Sequence, residues 1–148
     1  MIIVLGAQGF VGSAVFDMLR AHHECVGVDV NNYNEHVGCA CDVLVNVNGN
    51  SKKFLAVEQP AREFDLSVGS VVRSITDFPA KRYVYISSVD VYAEFDKPAS
   101  TREDTIIDAA RQSRYGFHKW LAEQYVRATC PQWLILRLGG MVGPRLAK

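Results

Sequence analysis

The 148-residue sequence has no excess of either charge: 16 basic residues face 16 acidic ones, for a formal net charge of zero. An electrostatic nucleic-acid binder carries a basic surplus, so nucleic acid is not an expected partner. No apolar run is long enough to cross a bilayer. Met1 leads straight into a strand-like segment, which leaves no signal peptide to be expected. Cysteine is scarce, and the spacing of Cys25, Cys39, Cys41 and Cys130 fits neither a disulfide framework nor a zinc site. No metal is expected, and four reduced thiols point to a cytoplasmic protein. Repeats, low-complexity tracts and linkers are also missing, so residues 1–148 are read as one domain. Apolar residues are plentiful, at 49%, enough to build a core and to argue against disorder.

The stretch that organises the chain is its first, Met1-Ile2-Ile3-Val4-Leu5-Gly6-Ala7-Gln8-Gly9-Phe10-Val11-Gly12. A buried-type strand runs into a glycine-rich turn, and the turn runs into a helix expected over Val11 to Ala21. Strand, tight turn and helix in that order form a device for a nucleotide diphosphate. Gly6 is read as the turn residue, Gly9 as room for the phosphates and Gly12 as close helix-strand packing. The first helical N–H groups, those of Phe10 and Val11 among them, then face the anion with the helix dipole behind them. A plain strand–turn–helix corner is the alternative.

The second strand, Cys25 to Val30, carries Asp29 at its carboxyl end. An acidic residue about 20 positions past such a turn grips the adenosine ribose hydroxyls and repels a 2′-phosphate, favouring NAD over NADP. Asp29 as a turn-starting residue before Asn31-Asn32 is the other reading. Residues 30–41 are too few for a crossover helix and another strand, so one βα unit should be shortened or lost before the strand Asp42 to Val47. A helix follows over Arg62 to Ile75, with apolar residues at helical spacing, and is closed by Pro79. Arg82 to Ile86 is the next strand, ending in Ser87-Ser88. A loop with Pro98, a helix over Thr105 to Thr129 with a possible break near Ser113, and the strand Trp133 to Leu138 complete the order. Strands alternating with helices give an α/β fold with a doubly wound parallel sheet.

Ser88, Tyr115 and Lys119 stand out chemically. Tyr115 and Lys119 are four apart on a helix and so share a face. A neighbouring ammonium favours the phenolate and should lower the phenol's pKa toward a useful acid–base range. Ser88, at the carboxyl end of a strand, is placed to hydrogen-bond the same substrate oxygen, and Lys119 to reach the nicotinamide ribose as well. By itself Y-x-x-x-K also fits an ordinary amphipathic helix, with Lys119 paired to Glu123 on a solvated face.

Taken together, these motifs resemble the extended short-chain dehydrogenase/reductase family, the NAD-dependent epimerase/dehydratase group acting on nucleotide sugars. Gly6 to Gly12 matches its G-x-x-G-x-x-G turn. Ser87-Ser88-Val89-Asp90-Val91-Tyr92 is similar to its S-S-x-x-V-Y segment, Tyr115 and Lys119 to its Y-x-x-x-K pair, and Asn46-Val47-Asn48-Gly49 to the N-x-x-G strand end of related dehydrogenases. Leu136 to Arg145 resembles the family's strand and loop ending in G-P-R, with Leu138 where proline is common. The resemblance implies a Rossmann-type sheet and an NAD cofactor held by Gly6, Gly9, Phe10, Val11, Gly12, Asp29, Asn48 and Lys119. It also implies Ser88, Tyr115 and Lys119 as the catalytic set. In the family an Asp helps hold the adenine, a role for which Asp42 is a candidate, though it can equally just begin its strand. The resemblance also implies a carboxyl-terminal substrate domain in family members, and residues 1–148 are expected to be truncated relative to that pattern.

Three functional readings follow. The first is an NAD-dependent oxidoreductase, epimerase or dehydratase on a nucleotide sugar. The second is a dinucleotide-binding module with vestigial or regulatory use. The third is the cofactor-binding portion of a split or truncated enzyme. Family members often dimerise through the Tyr/Lys helix, which makes a homodimer a candidate assembly.

Overall fold

A computed structural model describes residues 1–94 and 96–143. Five strands form one sheet: β1 (Ile2–Leu5), β2 (Cys25–Val28), β3 (Cys41–Asn46), β4 (Ala80–Ser88) and β5 (Trp133–Leu138). Their order is β2-β1-β3-β4-β5, and every pairing is parallel. All carboxyl ends therefore lie along one edge, where Leu5 stands between Val28 and Asn46.

Side chains alternate across this sheet because a strand has a period of two. Ile3, Leu5, Leu44, Tyr83 and Tyr85 point to one face and pack with Val71 of α5 (Ser70–Asp77) and with Ala122 and Val126 of α6 (Arg114–Thr129). Val4 and Val45 point to the other, against Val15, Phe16 and Leu19 of α1 (Phe10–Arg20). Helices on both faces make this the expected Rossmann-type doubly wound α/β sheet. The third strand unit is missing, as the short spacing required: between β2 and β3 there is one helical turn, α2 (Tyr33–His36), so β2 is an edge strand.

Several boundaries differ from the sequence reading. β2 stops at Val28, and Val30 is almost wholly exposed. β4 runs on through Ser87 and Ser88. The helix expected from Arg62 begins with α3 (Leu55–Glu58) and α4 (Pro60–Phe64), then widens into a π-helical turn at Asp65–Gly69 before α5. Proline sits in the first turn of α4, where its missing N–H costs nothing. The expected helix from Thr105 is replaced by loop and a single turn at Ala109–Arg111. Ile106 there is fully solvated, so no burial stabilises a helix. The helix starts instead after Ser113, whose hydroxyl accepts the Gly116 N–H at 3.0 Å.

Candidate functional site

The carboxyl edge of the sheet gathers the glycine turn, the strand-end serines and the amino end of α6. Gly6 has φ +81°, a left-handed conformation that favours glycine. Its N–H donates to Val28 at 2.8 Å and its carbonyl accepts from Gly9 N–H at 3.0 Å. A Cβ on Gly12 would stand 1.9 Å from the Gly6 carbonyl oxygen, so α1 lies directly against the turn. Gly9 provides no side-chain cap for the eleven-residue α1, leaving the first N–H groups of the helix for another acceptor.

Two clefts open beside this turn. One, of about 230 Å³, is bounded by Gly6, Asp29, Tyr33, Asn48 and Arg73. Asp29 is fixed at its rim: its carboxylate accepts Gln8 N–H at 3.0 Å, and its own N–H donates to Asn32 at 2.7 Å. The other, of about 320 Å³, is bounded by Val11, Asn48, Ser88, Tyr115, Lys119 and Leu138 among others. Asn48 lines both. Its N–H donates at 2.9 Å to the side-chain Oδ1 of the fully buried Asn46, whose side-chain Nδ2 donates to the Tyr83 hydroxyl at 2.7 Å. Phe10 faces a separate groove along α1, with Met18 and Val142.

Ser88, Tyr115 and Lys119 meet in the larger cleft. Ser88 Oγ donates to the Asp90 carboxylate at 2.6 Å, and Asp90 also pairs with Lys53 at 2.7 Å. The Tyr115 hydroxyl donates to the Asn50 carbonyl at 2.9 Å. Lys119 is buried below them, its Nζ 6.0 Å from the Tyr115 ring centre and 3.5 Å from the Tyr85 hydroxyl. Desolvation brings the Lys119 ammonium down to about 8, against the opposing pull of Glu63, Glu123 and Asp90.

Two expectations are corrected here, and one alternative reading is set aside. Tyr115 is not acidified: burial raises its pKa, and the carboxylates of Asp90 and Glu63 raise it further. Asp42 lies at the opposite edge of the sheet, near the start of β3. There it pairs with Lys81 at 2.6 Å and the Met1 ammonium at 2.8 Å, which hold its carboxyl down at about 2. It is remote from the turn, so the structure places it apart from the candidate cofactor site. Glu123 is not a solvated partner of Lys119. It is wholly buried and receives Ser87 Oγ at 2.7 Å and two bonds from Arg137 at 2.9 and 2.7 Å. Residues missed from sequence are Asp90, Lys53, Glu63 and Arg73. The one available signal was the position of Asp90, two residues past Ser88 in the turn that follows β4. The expected Gly143-Pro144-Arg145 motif ends outside the described residues.

A family model for the NAD dependent epimerase/dehydratase family matches residues 2–148. The chain belongs to that family. No curated protein matches it in sequence. Among solved structures it is similar to RMD from Pseudomonas aeruginosa complexed with NADPH, at 21% identity and a TM-score of 0.76, over 97% of this chain and 56% of that one. It is also similar to a UDP-galactose 4-epimerase, at 25% identity and a TM-score of 0.75, over 98% and 58% of the respective chains. A third is MoeE5 in complex with UDP-glucose and NAD, at 20% identity and a TM-score of 0.71, over 93% and 52%. The chain thus spans just over half the length of these similar structures. Among the described residues no helix is long and apolar enough to cross a membrane, and no cluster of His, Cys, Asp and Glu is suited to a metal ion.

Proposed function

We propose that this chain binds a nicotinamide dinucleotide, NAD in preference to NADP, and serves oxidation–reduction of a nucleotide sugar in an epimerase, dehydratase or reductase reaction. The observation that carries the reading is the meeting of Ser88, Tyr115 and Lys119 in a cleft that begins at the glycine turn. The residues present fit the cofactor. Gly12 lets α1 lie directly against the turn, α1 has no side-chain cap, and the Asp29 carboxylate marks the ribose end. Gly6, Gly9, Val11 and Gly12 would hold the diphosphate, Asp29 the adenosine ribose, Asn48 the middle and Lys119 the second ribose. When bound, the cofactor supplies the hydride acceptor or donor.

Tyr115 is the residue that moves the substrate proton, and Ser88 holds the same oxygen in place. For this both hydroxyls leave their present acceptors, Asn50 and Asp90. The phenol needs positive charge nearby to ionise, because the carboxylates around it oppose ionisation. Lys119 provides one such charge from below. The expected result for Tyr115→Phe is loss of turnover with cofactor affinity retained. It is read by nicotinamide absorbance on adding nucleotide sugars, and by calorimetry with each dinucleotide. Normal turnover in that variant overturns the role of Tyr115, and absence of heat with both dinucleotides overturns the whole reading.

A second reading rests on chain span. Because the similar structures are nearly twice as long, the substrate-binding portion can reside in further polypeptide. The mass of the purified complex separates a split enzyme or a homodimer from a lone chain. A chain that binds cofactor, yet leaves nicotinamide absorbance flat with every sugar nucleotide, is a binding module.

A further inference from the structure

The cleft that runs from the glycine turn past Asp29 has two walls. One is the segment after β2, with Asp29, Val30 and Tyr33; the other is α5, with Ser70, Arg73 and Ser74. Residues three and four apart share a helix face, so a single stripe of α5 lines the cleft. The short segment between β2 and β3 folds back to make the first wall. Asn32 turns the chain, accepting Asp29 N–H at 2.7 Å and donating its side-chain amide to the Gly27 carbonyl at 3.1 Å. The segment then fastens to the end of α5. Gly38 N–H donates to the Asp77 carbonyl at 2.7 Å, and the Tyr33 hydroxyl donates to the Asp77 carboxylate at 2.9 Å. The Tyr33 ring also meets Phe78 edge-on at 5.1 Å.

Arg73 is held from the other side. It donates to the Asp65 carboxylate from Nη1 at 2.8 Å and from Nη2 at 3.4 Å. Residues eight apart on an unbroken α-helix point about 80° apart. The π-helical turn at Asp65–Gly69 takes up one extra residue and brings the two onto one face. Gly69 leaves room for the pair, since a Cβ there would stand 2.5 Å from Asp65 Oδ1 and 3.3 Å from Arg73 Nη1. The guanidinium charge is therefore met by Asp65, and the two contacts orient its plane. Val30 lines the same cleft almost wholly exposed, which leaves its apolar surface to a ligand. An aromatic ring, a planar guanidinium and a bare valine beside a carboxylate suit a flat heteroaromatic base joined to a ribose.

We propose that Tyr33 and Arg73 build the adenine site of this chain, in place of the strand unit that is missing. Their ring and guanidinium take the base, Asp29 the adjoining ribose and the glycine turn the diphosphate. Asn48 lines both this cleft and the one that holds Tyr115 and Lys119, so a single dinucleotide spans the two. The proposal rests on the dinucleotide reading given above and names the residues that recognise its base.

ADP-ribose, which carries adenine but no nicotinamide, is the probe, with the full chain and no turnover required. In calorimetry Arg73→Ala should bind it about tenfold or more weakly than wild type, the usual loss when a base loses a stacking partner. Arg73→Lys keeps the charge but not the plane and should lose as much. Equal affinity in wild type and Arg73→Ala overturns the proposal. So does full rescue by Arg73→Lys, or a loss in Arg73→Ala that is seen with NADP and absent with NAD, since the side chain is then a charge contact and not a platform for the base. Wild type supplies a separate arm. In its saturated ADP-ribose complex, Overhauser effects should join adenine H2 or H8 to the Tyr33 ring protons, assigned with Tyr33→Phe, and their absence overturns the proposal whatever the variants do. If wild type binds neither ADP-ribose nor NAD, the dinucleotide reading and this one fall together. If it binds both, the Arg73 variants and the Overhauser effects decide this one alone.

Discussion

The Glu123–Arg137 pair ties α6 to β5 beneath the cleft, and its removal has a calculable cost. Glu123 accepts two bonds from Arg137 and one from Ser87, and Arg137 donates a further bond to the Tyr92 hydroxyl at 2.8 Å. Glu123 is completely buried and the Arg137 side chain is only 12% exposed. Glu123→Gln preserves volume but strands the guanidinium without its countercharge, and truncating one partner of a buried pair costs about 3–5 kcal/mol. For a domain of this size that corresponds to a fall in melting temperature of roughly 6–20 °C. Arg137→Met strands the carboxylate and should cost a similar amount. The double variant Glu123→Leu/Arg137→Met removes both charges together and should lie within about 2 kcal/mol of wild type, because the desolvation penalty goes with the pair. Urea unfolding of wild type, Glu123→Leu, Arg137→Met and the double variant gives the cycle directly. A single substitution costing under about 1 kcal/mol, or single effects that simply add in the double variant, would refute the view that these charges depend on each other.

Two further outcomes follow from the same geometry. Gly12→Ala places a methyl against the Gly6 carbonyl oxygen, and overpacking of about 1–3 kcal/mol should weaken dinucleotide binding about tenfold or more. A folded variant that binds with wild-type affinity in calorimetry would show that the turn is not the diphosphate cradle. Stability should also respond to Lys119. Its pKa is about 8 in the folded chain against an ordinary 10.5, so between those values the unfolded chain holds more protons. Lys119 therefore makes stability rise as pH climbs through that window, by at most ~3 kcal/mol. Urea unfolding of wild type and Lys119→Met from neutral to alkaline pH should show the relative rise only in wild type, and parallel curves would contradict a buried ammonium.

The order of elements was legible because burial on both faces leaves a plain mark: short apolar runs separated by amphipathic helices. The loss of the third βα unit was legible from chain length alone, since residues 29–40 hold one helical turn and no strand. The helix expected from Thr105 holds only beyond the possible break near Ser113, because the fold gives Ile106 nothing to pack against. The buried charges were illegible for a different reason. Charge in sequence reads as surface, and only the assembled layers show that Glu123 faces Arg137 from the neighbouring strand and Glu63 faces His118 from another helix.

Asp29 and Asp42 show where sequence reasoning about the site held its own remedy. Both are aspartates beside strands of the same sheet. In a parallel sheet, ligands bind at the carboxyl edge, so what matters is which side of its strand a residue occupies. Asp29 follows Val28, the last residue of β2, and so reaches the turn, where Gln8 N–H binds it. Asp42 comes near the beginning of β3, with Val43 to Asn46 still to run before the chain reaches that edge. Its pairing with the Met1 ammonium follows from the same parallelism, because β1 also begins at the amino edge. Once the sheet is read as parallel, the order of aspartate and strand along the chain is enough to set Asp42 apart from the candidate site, and the same rule places Ser88, at the end of β4, inside it.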